Sequence, residues 1–169
     1  MGGDVAIKSE PGKGTEITIT LRFVPANPAD YKRENLESSG SVDFSGKRLL
    51  LVEDNEMNRE IACGILEELG FVVDRAENGV AAIDKVLHCK GCYDVILMDI
   101  QMPVMDGYKA TGEIRRLSDS KLSGIPIIAM TANAFDEDKQ RCLDAGMNAH
   151  IAKPIDVKAL KSTLEKVLL

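Results

Sequence analysis

The sequence predicts an α/β protein with a doubly wound, five-stranded parallel sheet, and three observations support this prediction. From residue 47 onward, five short apolar runs alternate with five segments of helical periodicity. The runs are apolar throughout rather than alternating, which is typical of parallel strands covered on both faces. Each pair of runs is separated by enough chain for a helical crossover, and right-handed crossovers place helices on both sides of such a sheet.

The strands and the helices are predicted from two different sequence patterns. Strands are predicted for short runs rich in Val, Ile and Leu, at 47–53, 71–76, 93–99, 125–132 and 149–154. Helices are predicted where apolar residues recur three and four positions apart, as Met57, Ile61 and Ile65 do. These helices lie at 55–70, 79–89, 106–118, 136–146 and 156–169.

A short β-hairpin is predicted near the N-terminus. Residues 5–9 and 16–23 alternate between apolar and polar side chains, and a Gly-Lys-Gly turn lies between them. Two strands alone are marginally stable in water, so the hairpin is expected to end a larger domain or to pack on another surface. Residues 25–46 are polar and rich in Pro, Ser and Gly, which indicates a linker.

Composition excludes several classes of function. The formal net charge of −6 disfavours sequence-independent binding to nucleic acid or to an anionic membrane. No apolar run approaches the length of a membrane span, and the first residues show no signal-peptide core. We therefore expect a cytoplasmic protein without nucleic-acid or membrane contacts.

The cysteine pattern "CKGC" contains Cys89 and Cys92 at a spacing found in redox sites and in half of a zinc site. No second cysteine pair follows. The motif comes after a predicted helix rather than at its start, where the helix dipole would lower a thiol pKa. We predict reduced thiols without a function rather than a redox or zinc site.

Polar side chains stand where four of the five predicted strands end: Glu53 and Asp54, Asp99, Thr131, and Lys153. The carboxyl ends of parallel strands meet at one edge, where α/β sheets bind ligands. Taken singly, each residue could be a solvated strand end, and Asp54 could simply cap a helix. Their occurrence together predicts a site.

The chemistry of these residues points to phosphoryl transfer. Three neighbouring carboxylates repel one another, and a divalent cation removes that conflict. A ligand set made only of oxygen favours Mg²⁺. Lys153 is unnecessary for a metal but suits an anion, and the Thr131 hydroxyl can donate to the same anion. The set therefore predicts a carboxylate that attacks phosphorus.

The motifs "LLLVEDNEMNR", "VILMDIQMPVMDG", "IIAMTAN" and "HIAKPI" occur in this order, and through them residues 47–169 resemble the receiver (response-regulator) domains of two-component signalling. The resemblance implies a flavodoxin-like (βα)5 fold. It also implies that Asp99 accepts a phosphoryl group from phosphohistidine. Glu53, Asp54, Asp99 and the backbone carbonyl of Gln101 would bind Mg²⁺.

Further roles follow from the same resemblance. Thr131 and Lys153 would contact the phosphoryl oxygens, and the Lys153–Pro154 bond is expected to be cis. Receivers often carry Tyr or Phe three residues before the lysine, a ring that follows the threonine inward after phosphorylation, whereas this chain has His150. Two interpretations stay open: His150 acts in the switch with added pH sensitivity, or it is a surface residue.

Residues 1–24 resemble the end of the ATP-binding domain of a histidine kinase, without the parts that bind nucleotide. The implied parent is a hybrid histidine kinase in which 47–169 is a carboxyl-terminal receiver with no DNA-binding domain after it. The expected partner is a phosphohistidine on the kinase dimerisation domain or on a histidine phosphotransfer domain. Helix 55–70 and an exposed segment 105–114 are predicted to form the docking face.

Two rival functions have distinguishing features. Magnesium-dependent phosphatases with an aspartyl nucleophile usually carry a second Asp two residues later, where this chain has Gln101. A receiver that serves only for docking would not need the complete acidic set. The enzymatic classification stays open, because a receiver catalyses its own phosphorylation and dephosphorylation while the kinase core is absent from these residues.

Overall fold

The structure is a computed structural model that describes residues 3–21, 43–89, 91–132 and 136–169. The chain divides into two compact units, Met1–Ser41 and Val42–Leu169. Most of the predicted linker lies outside the described residues, as does the end of the second predicted hairpin strand.

The described part of the first unit is an antiparallel hairpin of β1 (Gly3–Glu10) and β2 (Gly14–Leu21), which confirms the predicted hairpin. Its register pairs Val5 with Ile19 and Ile7 with Ile17. These four side chains share one face because alternate residues of a strand point the same way. They remain 59–64% exposed, so nothing in the hairpin itself covers its apolar face.

The second unit contains the predicted five-stranded parallel sheet. The strands are β3 (Arg48–Val52), β4 (Val72–Ala76), β5 (Val95–Asp99), β6 (Ile127–Thr131) and β7 (Ala149–Ala152). Their order in the sheet is β4-β3-β5-β6-β7, with every neighbouring pair parallel. The order reverses at β3, which makes the sheet doubly wound and opens a crevice beside the ends of β3 and β5.

Helices cover both faces of this sheet: α1 (Glu56–Glu68), α2 (Gly79–Cys89), α3 (Gly107–Arg115), α4 (Ser120–Ser123), α5 (Asp136–Asp144) and α6 (Val157–Leu168). The four-residue helix α4 was not predicted, since it is too short to show a helical period. Asx side chains cap five of the helices, as Asn55 does for α1 by accepting from the Asn58 amide. In the described ranges, no helix is both long and apolar enough to cross a bilayer.

Two apolar clusters form the core, one on each face of the sheet. Along β3, Leu49 and Leu51 enter one cluster while Leu50 and Val52 enter the other, as the two-residue period of a strand requires. All four are fully buried. Full burial of such a side chain contributes roughly 1.5–3 kcal/mol, so the central strands are firmly held and can present polar groups at their ends.

Arg115, at the end of α3, binds two turns of the second unit, at residues 123–125 and 146–148. Its guanidinium donates to the backbone oxygens of Gly146 (2.8 Å), Ser123 (2.6 Å) and Ile125 (2.8 Å), and to Asn148 Oδ1 (2.9 Å). Burial lowers the pKa of Arg115, and all four of these acceptors are neutral oxygens. The contacts hold the turns that precede β6 and β7, the neighbouring strands that carry Thr131 and His150.

The prediction of reduced thiols at Cys89 and Cys92 is wrong, because the structure joins them in a disulfide. The chain turns directly after α2 and brings their Cα atoms to 5.5 Å, a separation that a disulfide requires. Gly91 adopts a positive φ of 86° in this turn. The other two cysteines, Cys63 and Cys142, are free and buried.

Candidate functional site

The predicted polar residues converge because each follows or ends a neighbouring parallel strand. Asp99 is the last residue of β5 and Thr131 the last of β6. Glu53 and Asp54 come directly after β3, and Lys153 comes directly after β7. The Lys153–Pro154 peptide bond is cis, as predicted.

An ammonium group bridges two buried carboxylates at this edge. Lys153 Nζ lies 2.6 Å from Glu53 Oε2 and 2.8 Å from Asp99 Oδ2. Glu53 is only 2% exposed and Asp99 only 5%, so neither carboxylate is well solvated. A buried charge is tolerated when it is paired and hydrogen-bonded, and Lys153 provides that pairing for both.

Further hydrogen-bond donors surround Glu53 and Asp99. Asn58 Nδ2 donates to Glu53 Oε1 (3.1 Å), and the Gln101 amide donates to Asp99 Oδ1 (3.2 Å). Arg59 donates to the backbone carbonyl oxygens of Glu53 (2.7 Å) and of the residue that follows it (3.2 Å). Sequence reasoning missed Asn58 and Arg59. Their position in the first turn of the helix that follows the acidic pair was the available indication.

Three carboxylates form a group suited to a hard cation. One oxygen from each of Glu53, Asp54 and Asp99 lies within 4.8 Å of the other two. Lys153 supplies one positive charge against three negative ones, so the group retains an excess of negative charge. Carboxylate oxygens are the ligands that Mg²⁺ prefers, so these residues fit that ion. The metal-binding role of the Gln101 carbonyl stays a prediction.

Burial and the two ion pairs shift the protonation equilibria in a coupled way. Burial raises the pKa of Asp99, and the negative charge of Glu53 adds to that rise although Lys153 opposes it. Burial by itself lowers the pKa of Lys153, but hydrogen bonds and attraction from Asp99 and Glu53 outweigh it and leave that pKa raised. Lys153 is therefore firmly protonated. Ionisation of Asp99, in contrast, is disfavoured by its burial and by the nearby charge of Glu53.

The predicted switch residues lie on β6 and β7. Thr131 is buried and pairs with Ala152 across the two strands, and His150 pairs with Ala129 two positions earlier. His150 is half-buried, and both burial and the positive charge of Lys139 on α5 lower its pKa. Its part in a switch stays a prediction.

The predicted exposure of the segment 105–114 is largely wrong. Gly107, Ala110, Thr111 and Ile114 are buried because this face of α3 packs on the sheet. Gly107 also approaches the end of β5 so closely that a Cβ there would lie 2.2 Å from the Asp99 carbonyl oxygen. The glycine therefore lets α3 begin directly against the strand that carries Asp99.

Comparison with known proteins agrees with this fold and site. A family model described as "Response regulator receiver domain" matches residues 49–165. The chain therefore belongs to the response regulator receiver domain family, whose members act in two-component phosphorelays.

The relatives include receivers of hybrid histidine kinases. The chain is 44% identical over 135 residues to hybrid signal transduction histidine kinase B of Dictyostelium discoideum, covering 73% of this chain and 7% of that protein. It is 36% identical over 167 residues to the aerobic respiration control sensor protein ArcB of Escherichia coli, covering 98% of this chain and 20% of that protein. The chain thus corresponds to a small part of these relatives.

Two solved structures are informative. The receiver of the sensor histidine kinase PA1611 from Pseudomonas aeruginosa is 40% identical with a TM-score of 0.65, covers 73% of this chain and 98% of its own, and has a magnesium ion coordinated in its active-site cleft. The Ssk1 receiver of Saccharomyces cerevisiae, in complex with the histidine phosphotransfer protein Ypd1, is 28% identical with a TM-score of 0.63. That match covers 72% of this chain and 88% of its own.

Replacing Gly107 with alanine tests the close approach of α3 to the end of β5. The added Cβ forces backbone movement, so we expect Gly107→Ala to lower the free energy of unfolding by about 1–3 kcal/mol in urea denaturation. Gly112→Ala in the same helix is the matched control, because nothing lies within 4 Å of its added Cβ. It should raise stability by up to about 1 kcal/mol. Equal effects of the two substitutions would contradict the steric argument.

A second prediction concerns the pH dependence of stability in a chelator. The folded-state pKa of Asp99 is raised, so the folded state binds that proton more tightly and loses stability as pH rises from near the usual pKa of 3.8. Asp99→Asn removes this loss, while Glu53 still pairs with Lys153. Urea unfolding at a series of pH values should show the variant more stable than wild type at neutral pH. The difference should shrink as pH falls.

Asp106→Asn provides a control of opposite sign. Burial works to raise the pKa of Asp106, but hydrogen bonds from Lys109 outweigh it and leave that pKa lowered. Its carboxylate therefore stabilises the fold at neutral pH, and this contribution is lost as pH falls through the folded-state pKa. Asn keeps the helix cap, so only the charge is tested. If Asp99→Asn were less stable than wild type at neutral pH, the ion pair would outweigh the cost of burial.

Proposed function

We propose that Asp99 is the phosphoacceptor of this receiver and that it takes a phosphoryl group from a phosphohistidine in a reaction that needs Mg²⁺. The observation that carries the proposal is the Lys153 ammonium 2.8 Å from a buried Asp99 whose carboxylate belongs to an acidic trio. A nucleophile, a metal-binding set and an anion-binding cation are thus within reach of one another.

The residues have distinct roles in the transfer. An Asp99 oxygen attacks phosphorus, the bond from phosphorus to the histidine nitrogen breaks, and the electron pair leaves with the imidazole. Lys153 and the Thr131 hydroxyl hold the phosphoryl oxygens and stabilise their charge. Mg²⁺ bound by Glu53, Asp54, Asp99 and the Gln101 carbonyl would supply positive charge against the same oxygens.

Phosphorylation changes the charge that these side chains face. A phosphoryl group brings about −1.5 to −2 of charge, and we propose that Thr131 and Lys153 move to contact it. Movement at the end of β6 would then bias β7, its neighbour in the sheet, and α5, the helix that follows β6 along the chain. His150 lies on β7 and would sense this rearrangement, which relays the signal by conformational change and further phosphotransfer.

We also propose that the chain derives from a hybrid histidine kinase, with residues 1–24 ending its ATP-binding domain, 25–46 a linker and 47–169 the receiver. The division into two compact units and the family match over 49–165 support these boundaries. The similarity to ArcB covers 98% of this chain and therefore includes the hairpin. The uncovered apolar face of β1 and β2 is what the edge of a larger domain would show. Placement in the cytoplasm stays a prediction.

The proposed partner is a histidine phosphotransfer domain or the phosphohistidine of a kinase dimerisation domain. Met57 and Ile61 on α1 are 73% and 58% exposed, and Ile61 lines a groove of about 180 Å³ together with Ile65 and Lys153. This apolar surface adjoins the acidic site, so a helix docked there would present its phosphohistidine to Asp99. The similar Ssk1 receiver, in complex with Ypd1, supports this class of partner.

Incubation of the full chain with acetyl phosphate and Mg²⁺ tests the acceptor assignment. We expect intact-mass measurement to show one added phosphoryl group on wild type and on Asp106→Asn, and none on Asp99→Asn. A chelator should abolish the gain. If folded wild type gained no phosphate, or if Asp99→Asn gained one as readily, the assignment of Asp99 would fail.

The docking proposal is tested by comparing the rates of phosphoryl transfer from a protein donor and from a small-molecule donor. Ile61→Asp places a charge in the apolar surface, and we expect it to slow transfer from a phosphorylated histidine phosphotransfer domain by about tenfold or more. Its rate with acetyl phosphate should not change. Leu87→Asp is the matched control, because Leu87 is an exposed leucine on α2. A loss of similar size in Leu87→Asp would show that α1 is not the docking face.

A further inference from the structure

A cavity of about 390 Å³ opens beside Gln101 and Thr131, the residues that flank Asp99. Its lining includes these two residues together with Tyr108 on α3 and Arg141 on α5. The remaining lining residues are Ile100, Met102, Asp106 and Ala132. None of the roles assigned above uses Tyr108 or Arg141.

Arg141 brings a positive charge to this cavity. Its guanidinium carbon lies 5.1 Å from the centre of the Tyr108 ring, which is cation–π distance. Among the described residues, the partner that the structure gives Arg141 is this ring and not a carboxylate. Of the lining residues that the structure describes, Asp106 is the one acid, and its charge is offset by Lys109, whose Nζ lies 3.2 Å away. The cavity can therefore accept a small anion.

We propose that this cavity receives the leaving group of small phosphodonors and that Arg141 favours those whose leaving group is a carboxylate, the acyl phosphates. The inference rests on Asp99 being the phosphoacceptor. Asp99 attacks phosphorus from the sheet, so the leaving group departs on the outer side, beyond the residues that flank Asp99. Two of these residues, Gln101 and Thr131, line the cavity.

The chemistry of an acyl phosphate explains why a cation would matter. The bond from Asp99 oxygen to phosphorus forms as the bond from phosphorus to the acyl oxygen breaks, and the electron pair stays on that oxygen as a carboxylate. Negative charge thus develops on the leaving group, where the planar guanidinium can donate two hydrogen bonds to it. A phosphoramidate instead releases neutral ammonia, and Arg141 would contribute little to that departure.

Donor preference in an Arg141→Met variant tests the proposal. Methionine keeps an apolar stem over Tyr108 but removes the charge. In the full chain with Mg²⁺, we expect the second-order rate constant for acetyl phosphate to fall by about tenfold, the loss for one charge-assisted contact. The rate with phosphoramidate should stay within about twofold of wild type, as for a neutral surface change. That retained rate also shows that the variant is folded.

Two controls make the outcome decisive. Arg116→Met removes an exposed arginine of the same charge at the end of α3 and should leave both rates unchanged. Arg141→Lys keeps the charge without the fork and should recover part of the acetyl phosphate rate. Equal losses with both donors, or no loss with either, would overturn the leaving-group assignment while Asp99 remains the acceptor. If wild type took phosphate from neither donor, the acceptor assignment itself would fail.

Discussion

The charge of Lys153 between two buried carboxylates is the constraint on which the site depends. Glu53 and Asp99 end neighbouring strands and are almost fully withdrawn from water, so without a cation each would carry a large desolvation cost. The lysine comes from β7, at the far edge of the sheet, and only a long side chain can reach back across β6 to β5 and β3. The ion pair thus requires the whole order of strands to be in place.

Most of the fold could be predicted because burial leaves a strong pattern in the sequence. Strands buried on both faces must be apolar throughout, and all five predicted runs contain the observed strands. What failed depends on contacts that have no local pattern. The disulfide requires the turn at Gly91, and a CxxC spacing alone is compatible with both redox states. Exposure along 105–114 was misjudged because the sequence does not say which face of α3 meets the sheet.

The site was predictable to the extent that its residues stand at strand ends. Parallel strands bring their carboxyl ends together whatever the helices do, so Asp99, Thr131 and Lys153 could be grouped without knowing a distance. Asn58 and Arg59 escaped notice because their role depends on how the first turn of α1 faces back to the acids. Arg141 meets Tyr108 only through the packing of α5 beside α3, and no spacing in the sequence indicates that contact.

The electrostatics of the unphosphorylated site explain why it responds to ligands. Three carboxylates gather around one ammonium, and burial raises the pKa of Asp99, the proposed nucleophile. Such an arrangement lowers stability, and proteins keep it where function requires it. Added positive charge relieves the repulsion. A phosphoryl group on Asp99 would then compete with Glu53 for Lys153, because the ammonium lies within 2.8 Å of both carboxylates. A change of chemical state at one strand end therefore redistributes contacts that reach from β3 to β7, which is the physical basis for a switch at this edge of the sheet.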